Sequence, residues 1–306
     1  LPELPGGKEN EMEAAGRILG VFWRSVVIGV AYIAAMMLVG MVMGMLGLIP
    51  AVGDSGATSL VWLLLAGSLL GLYLGPLAAR TPATRRQHVL IWTAVIFFNM
   101  GSVMLEGAFF APELVPIPLP VLALQQVLAA TVAGTLIALL FARPGPAAGF
   151  RQTLRRRSWW AWLWRFLLAG LSYVLFYAGF GALNYNLVTG PYYAGHAGGL
   201  TVPAPATVLA VELVRAPLLI LSVAPIILAT HGTRRRTLLM AGMTLFWVGG
   251  IVPLTLQIGS LPALLLLAST VEIFLQNFLT GVVAGWLFWM DPTEQVEGSK
   301  QNDDFD

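Results

Sequence analysis

The chain has 306 residues, of which 58% are hydrophobic and only 10% charged, and its mean hydropathy is +0.80. A soluble domain carries roughly 25% charged residues, so these proportions exclude an ordinary water-soluble fold. The net charge of +2 is no sign of nucleic-acid affinity, and the lack of cysteine excludes disulfides, a thiol nucleophile and thiolate metal ligands.

Residues 1–17 are polar and acidic and lack the basic start and short apolar stretch of a cleavable secretory signal. They read as a polar N-terminal segment. Beyond them, apolar runs predict membrane helices at 18–48, 58–79, 88–110, 118–142, 160–184, 206–230, 237–257 and 262–290. Each is long enough to cross about 30 Å of hydrocarbon. The expected fold is an all-α polytopic membrane protein of about eight spans. No connecting segment is long enough to hold a soluble domain.

The arginines and lysines orient the spans. Lys8, Arg17 and Arg24 flank the first; Arg80, Arg85 and Arg86 lie between the second and third. Arg143, Arg151, Arg155, Arg156, Arg157 and Arg165 surround the central connection, Arg234, Arg235 and Arg236 the sixth-to-seventh, and Lys300 lies in the tail. With eight spans, every basic residue except Arg215 falls on one side. Positive loops stay cytoplasmic, so both termini are expected to be cytoplasmic, in a membrane of the bacterial inner-membrane type.

The segment RRRSWWAWLWR, residues 155–165, is read as a membrane-interface anchor. Arg155, Arg156 and Arg157 suit the headgroups, and Trp159, Trp160, Trp162 and Trp164 suit the aromatic belt. A regulatory lipid contact fits the same residues. A nucleic-acid surface fits poorly, since no folded basic module surrounds it.

Self-similarity organises the rest. PLAARTPATRR (76–86) and PIILATHGTRR (225–235) share P-x4-T-x2-T-R-R, and Phe97 and Gly101 match Phe246 and Gly250. QQVLAATVAG (125–134) matches QNFLTGVVAG (276–285), and WRSVVIGVAYIAAMMLVG (23–40) resembles WRFLLAGLSYVLFYAGFG (164–181). The chain is therefore expected to hold a first four-helix repeat at 18–142, a basic linker at 143–159, a second repeat at 160–290 and an acidic tail at 291–306. Four spans per half make the repeats parallel, related by an axis along the membrane normal. Glycines four apart, at Gly67/Gly71/Gly75, Gly40/Gly44 and Gly281/Gly285, suit close helix packing.

Ionisable groups inside spans mark candidate sites. Arg215 follows Glu212 by three residues, so the two share a helix face and can pair. Counting about 1.5 Å per residue, Glu212, Arg215, Glu272, Gln276 and Asn277 fall in the outer part of the bilayer, with Glu106, Gln125 and Gln126 at similar heights. These eight residues form the candidate ligand site. The charges at 212, 215 and 272 have apolar counterparts in the first half (Leu63, Ala66 and Val121), whereas the amide pairs are shared.

Enzyme signals are weak. GDSG at 53–56 mimics an intramembrane serine-protease motif, yet Ser55 falls in a predicted loop and no histidine lies mid-span, His196 included. His88 and His231 border helix ends and suit the interface, without the paired spacing a metal or haem requires. There is no P-loop, and aspartate-rich diphosphate motifs are missing. The expectation is a non-enzyme without cofactor or metal. Two readings fit: a transporter-like protein handling a small solute or lipid at an outward polar site between the repeats, or a non-catalytic subunit scaffolding a membrane complex. Membrane lipids are expected partners in both, other membrane subunits in the second, and nucleic acid in neither.

Overall fold

Among the described residues, eight helices are long and apolar enough to cross a membrane. They are α1 (Gly6–Met45), α2 (Gly56–Ala78), α3 (Arg85–Phe110), α4 (Leu119–Leu140), α5 (Trp159–Ala194), α6 (Pro205–Ala229), α7 (Arg234–Leu256) and α8 (Ala263–Phe288). The computed structural model describes residues 6–48, 56–113, 117–143, 145, 150–230 and 232–290. Ser55, His231 and the acidic tail lie outside the described residues, as do Leu1–Pro5 and most of the linker before Phe150. Among those described, no β-strand occurs, and a short helix at Phe150–Arg155 precedes α5.

Within the first four helices α1 packs on α2 and α4, and α3 packs on α4. Among the last four, α5 packs on α6 and α8, and α7 on α8. The two groups meet where α3 crosses α6 and α2 meets α7. Glycines set the closest approaches: a Cβ at Gly67 would lie 2.9 Å from Gly29 Cα, and one at Gly71 2.8 Å from Ser25 Cα. A Cβ at Gly281 would lie 2.6 Å from Gly242 Cα. Small side chains let backbones meet where lipid supplies no hydrophobic drive.

One apolar core gathers Tyr32, Leu70, Trp92, Ile96 and Ile137 and reaches across to Ile226, Val248 and Val252. A second gathers Tyr173, Leu219, Ile220, Val223, Leu245 and Phe288. Tyr73 and Trp247 stack with centroids 5.5 Å apart where α2 meets α7. Trp247 Nε1 donates to Leu69 O (3.1 Å), so this contact is polar as well as apolar.

The helix starts explain the T-R-R motif. Thr84 caps α3, its hydroxyl accepting from Gln87 N while Gln87 Oε1 accepts from Thr84 N. Such a reciprocal cap satisfies two otherwise orphaned donors. Thr233 occupies the same position before α7 but makes no side-chain cap. His88 departs from the expected interfacial role: it is buried, and its Nδ1 accepts from Trp92 Nε1 (3.2 Å).

RRRSWWAWLWR folds as a cap and a clamp. Ser158 caps α5. Arg157 donates from Nη1 to Leu287 O (3.1 Å) and from Nη2 to Trp289 O (3.0 Å). These carbonyls close α8, where a cation suits the helix dipole. The guanidinium also lies 5.3 Å from the Trp162 ring centroid. Trp159, Trp160 and Trp164 are exposed, as a lipid-facing belt requires.

Candidate functional site

Three helices of the second half contain π-turns: Tyr185–Thr189 in α5, Trp247–Ile251 in α7 and Phe274–Phe278 in α8. None occurs in α1–α4 among the described residues. A π-turn holds one extra residue, frees local backbone groups and re-aims side chains, often at functional sites. Two of these turns carry Gly249, Gln276 and Asn277 to the wall of one chamber. α5 continues past its π-turn to Ala194 instead of ending near residue 184, and this extension brings Tyr193 to the same chamber.

The chamber has a volume of ≈ 140 Å³ and lies among α5, α6, α7 and α8, with α3 closing one side. That is close to the roughly 150 Å³ that admits one benzene-sized molecule. Glu106, Arg215, Glu272, Gln276, Asn277 and Tyr177 are among its lining residues.

Arg215 is the hub. Its Nη1 lies 2.8 Å from Glu106 Oε1 and 2.9 Å from Glu212 Oε1, so it ties α6 to α3 as well as to its own helix. Tyr173 donates its hydroxyl to Glu212 Oε2 (2.7 Å). The guanidinium also lies over Tyr173 and Tyr177, 5.6 and 5.8 Å from their centroids, in cation–π range. The Glu212 side chain is 2% exposed and that of Arg215 6%, whereas Glu106 is 27% exposed. Glu106 therefore faces the open space while Glu212 faces protein.

Glu272 belongs to a second polar group. It accepts from Gln276 Nε2 (2.6 Å) and from Asn184 Nδ2. Gly181 gives its carboxylate room, since a Cβ there would lie 3.3 Å from Glu272 Oε1. Glu272 also touches two neighbouring recesses, one of them an apolar groove of ≈ 330 Å³ between α5 and α8.

Six of the eight residues singled out from the sequence thus gather here: Glu106, Glu212, Arg215, Glu272, Gln276 and Asn277. Gln125 and Gln126 do not. They face α1, where Gln126 meets Tyr32 Oη (3.4 Å) and Met36 Sδ (3.6 Å) and Gln125 lies against Gly40. Sequence reasoning also missed Tyr177, Tyr193, Asn184 and Asn99. Asn99 is fully buried mid-span beside Gly249, and its Oδ1 has no hydrogen-bond partner. An amide inside an apolar run (FFNMG) is the signal that marked it.

No family model, curated protein or solved structure matches the chain.

Proposed function

We propose that the chain is a carrier-like integral membrane protein that receives a small cationic solute in the chamber closed by α3. The observation that carries this reading is the balance of charge. Two carboxylates, Glu106 and Glu212, pair with one arginine, and a third, Glu272, lines the same chamber. Fully ionised, the group is short of positive charge by two, and uncompensated charge within a membrane is expensive. A cation, or protons, must restore neutrality. Glu106 and Glu272 line the open space, and Tyr177 and Tyr193 add ring faces that favour an ammonium or guanidinium.

The same proposal takes the two halves as parallel repeats. The matching helix pairings support this, as do two equivalent contacts: Gly29 on Gly67 against Gly170 on Ala216, and Gly40 on Gln125 against Gly181 on Gln276. Arginine placement supports cytoplasmic termini in a membrane of the bacterial inner-membrane type, which puts the chamber nearer the outer face. In parallel-repeat transporters sites lie near the repeat interface, and here α3 of the first half closes a chamber built by the second. The reading assigns the chain no catalytic step.

A second reading, an integral scaffold subunit, draws on one feature: Arg215 is held by both Glu106 and Glu212, a tie between halves that needs no ligand. Thermal unfolding of the purified chain in mild detergent separates the two. Ethylammonium and methylguanidinium should raise the midpoint, whereas propanol, N-methylurea and propionate should not. Glu106→Gln with Glu272→Gln should abolish the difference. Equal effects of cations and their neutral isosteres, together with proteins co-purifying at fixed stoichiometry, would favour the scaffold.

A further inference from the structure

A second cavity, of ≈ 450 Å³, lies at the opposite, arginine-rich end, between the end of α2 and the start of α7. Its rim carries Arg80, Arg235 and Arg236, all exposed. Its wall is apolar, formed by Leu77, Leu239, Met240 and Met243 with the Tyr73 ring. Every carboxylate whose side chain is described (Glu106, Glu113, Glu212 and Glu272) lies away from this end, and none lines the cavity.

Comparing the two T-R-R turns shows what this cavity lacks. Before α3 the sequence is Thr-Arg-Arg-Gln, and Gln87 completes the cap on Thr84. Before α7 it is Thr-Arg-Arg-Arg: Arg236 stands where the glutamine would be, and the Thr233 side chain makes no cap bond. Three consecutive arginines at a helix N-terminus oppose the macrodipole. Their cost is offset when an anion sits against both the cations and the free N–H groups. An apolar wall beneath a basic rim, open at Leu239 (46% exposed), suits an anion joined to an acyl chain.

We propose that this cleft seats one anionic phospholipid. Its phosphate lies among Arg80, Arg235, Arg236 and the Thr233 hydroxyl, and an acyl chain follows Leu77, Leu239 and Met243. Because Tyr73, which lines the cavity, reaches Thr244 of α7 (3.1 Å) behind it, the lipid bridges the contact between the halves.

The test uses the full chain, purified in dodecyl maltoside and read by native mass spectrometry and thermal unfolding, with phosphatidylglycerol, phosphatidylcholine or inorganic phosphate added. Phosphatidylglycerol is expected to be retained at one per chain and to raise the midpoint, and the other two to do neither. Arg236→Gln recreates the capping sequence of α3, so the variant should be at least as stable without lipid yet bind phosphatidylglycerol about fivefold more weakly, the effect of roughly 1 kcal/mol per arginine. Equal retention of phosphatidylcholine, or unchanged binding by Arg236→Gln, would overturn the proposal. Stabilisation by phosphate alone would mean a free-anion site and overturn it too. So would phosphatidylglycerol retention that appears only after removal of residues 291–306, which would mean that the acidic tail occupies the cleft.

Discussion

Arg215 Nη1 stands 2.8 Å from Glu106 Oε1, and this ion pair joins α6 of the second half to α3 of the first. Removing one partner of a buried pair leaves an uncompensated charge, which costs about 3–5 kcal/mol. Arg215→Ala is therefore expected to lower the unfolding midpoint sharply. The double variant Arg215→Met with Glu212→Gln should recover part of that loss. A single variant as stable as the parent would mean that the charges are not coupled.

Tyrosines 32 and 173 occupy matching positions but differ in bonding. Tyr173 donates to a carboxylate at 2.7 Å, whereas Tyr32 meets the Gln126 amide at 3.4 Å. Hydrogen bonds to charged groups contribute about 1.5–3 kcal/mol, neutral ones about 1. Tyr173→Phe should therefore destabilise clearly more than Tyr32→Phe in parallel denaturation curves. Equal losses would contradict a charged acceptor for the Tyr173 hydroxyl.

Helix approach predicts opposite outcomes for two glycines. A Cβ at Gly281 would lie 2.5 Å from Ala241 O, whereas nothing lies within 4 Å of one at Gly20. Gly281→Ala should cost about 1–3 kcal/mol through overpacking. Gly20→Ala should be neutral or gain up to about 1 kcal/mol from helix propensity. Thermal midpoints of the two variants check both signs.

Arg157 closes α8 through Leu287 O and Trp289 O, and Arg157→Ala should loosen that end. Hydrogen exchange ought to accelerate over the last turn of α8 and leave α2 unchanged. Unchanged exchange at residues 284–289 would show that the guanidinium does not hold these carbonyls.

How far the sequence carried is clearest from particular elements. The spans were legible because apolar runs end at arginines or prolines: 206–230 was expected and Pro205–Ala229 is found. α5 was cut short because the polar Asn184-Tyr185-Asn186 and the Gly190-Pro191 pair read as a loop, although a π-turn carries the helix through them. The Glu212–Arg215 pair was legible because three residues place both on one face. Glu106 joins them only because α3 packs on α6, a neighbour relation that heights along single helices do not encode. The same limit explains Gln125 and Gln126, which share the height of the site but face α1. Gly101 matches Gly250 while Gln125 matches Gln276, so the second half holds two extra residues between these points.

The central claim is that a chamber of negative character opens away from the arginine-rich side. Because the chain has no cysteine, Ser269→Cys places a single thiol in the chamber wall. In intact cells, membrane-impermeant thiosulfonates of opposite charge should label it at unequal rates, the trimethylammonium reagent outrunning the sulfonate by about tenfold or more. The buried control Ser222→Cys should stay unlabelled. Labelling that needs a permeabilised membrane, or that proceeds equally with both reagents, would contradict the account.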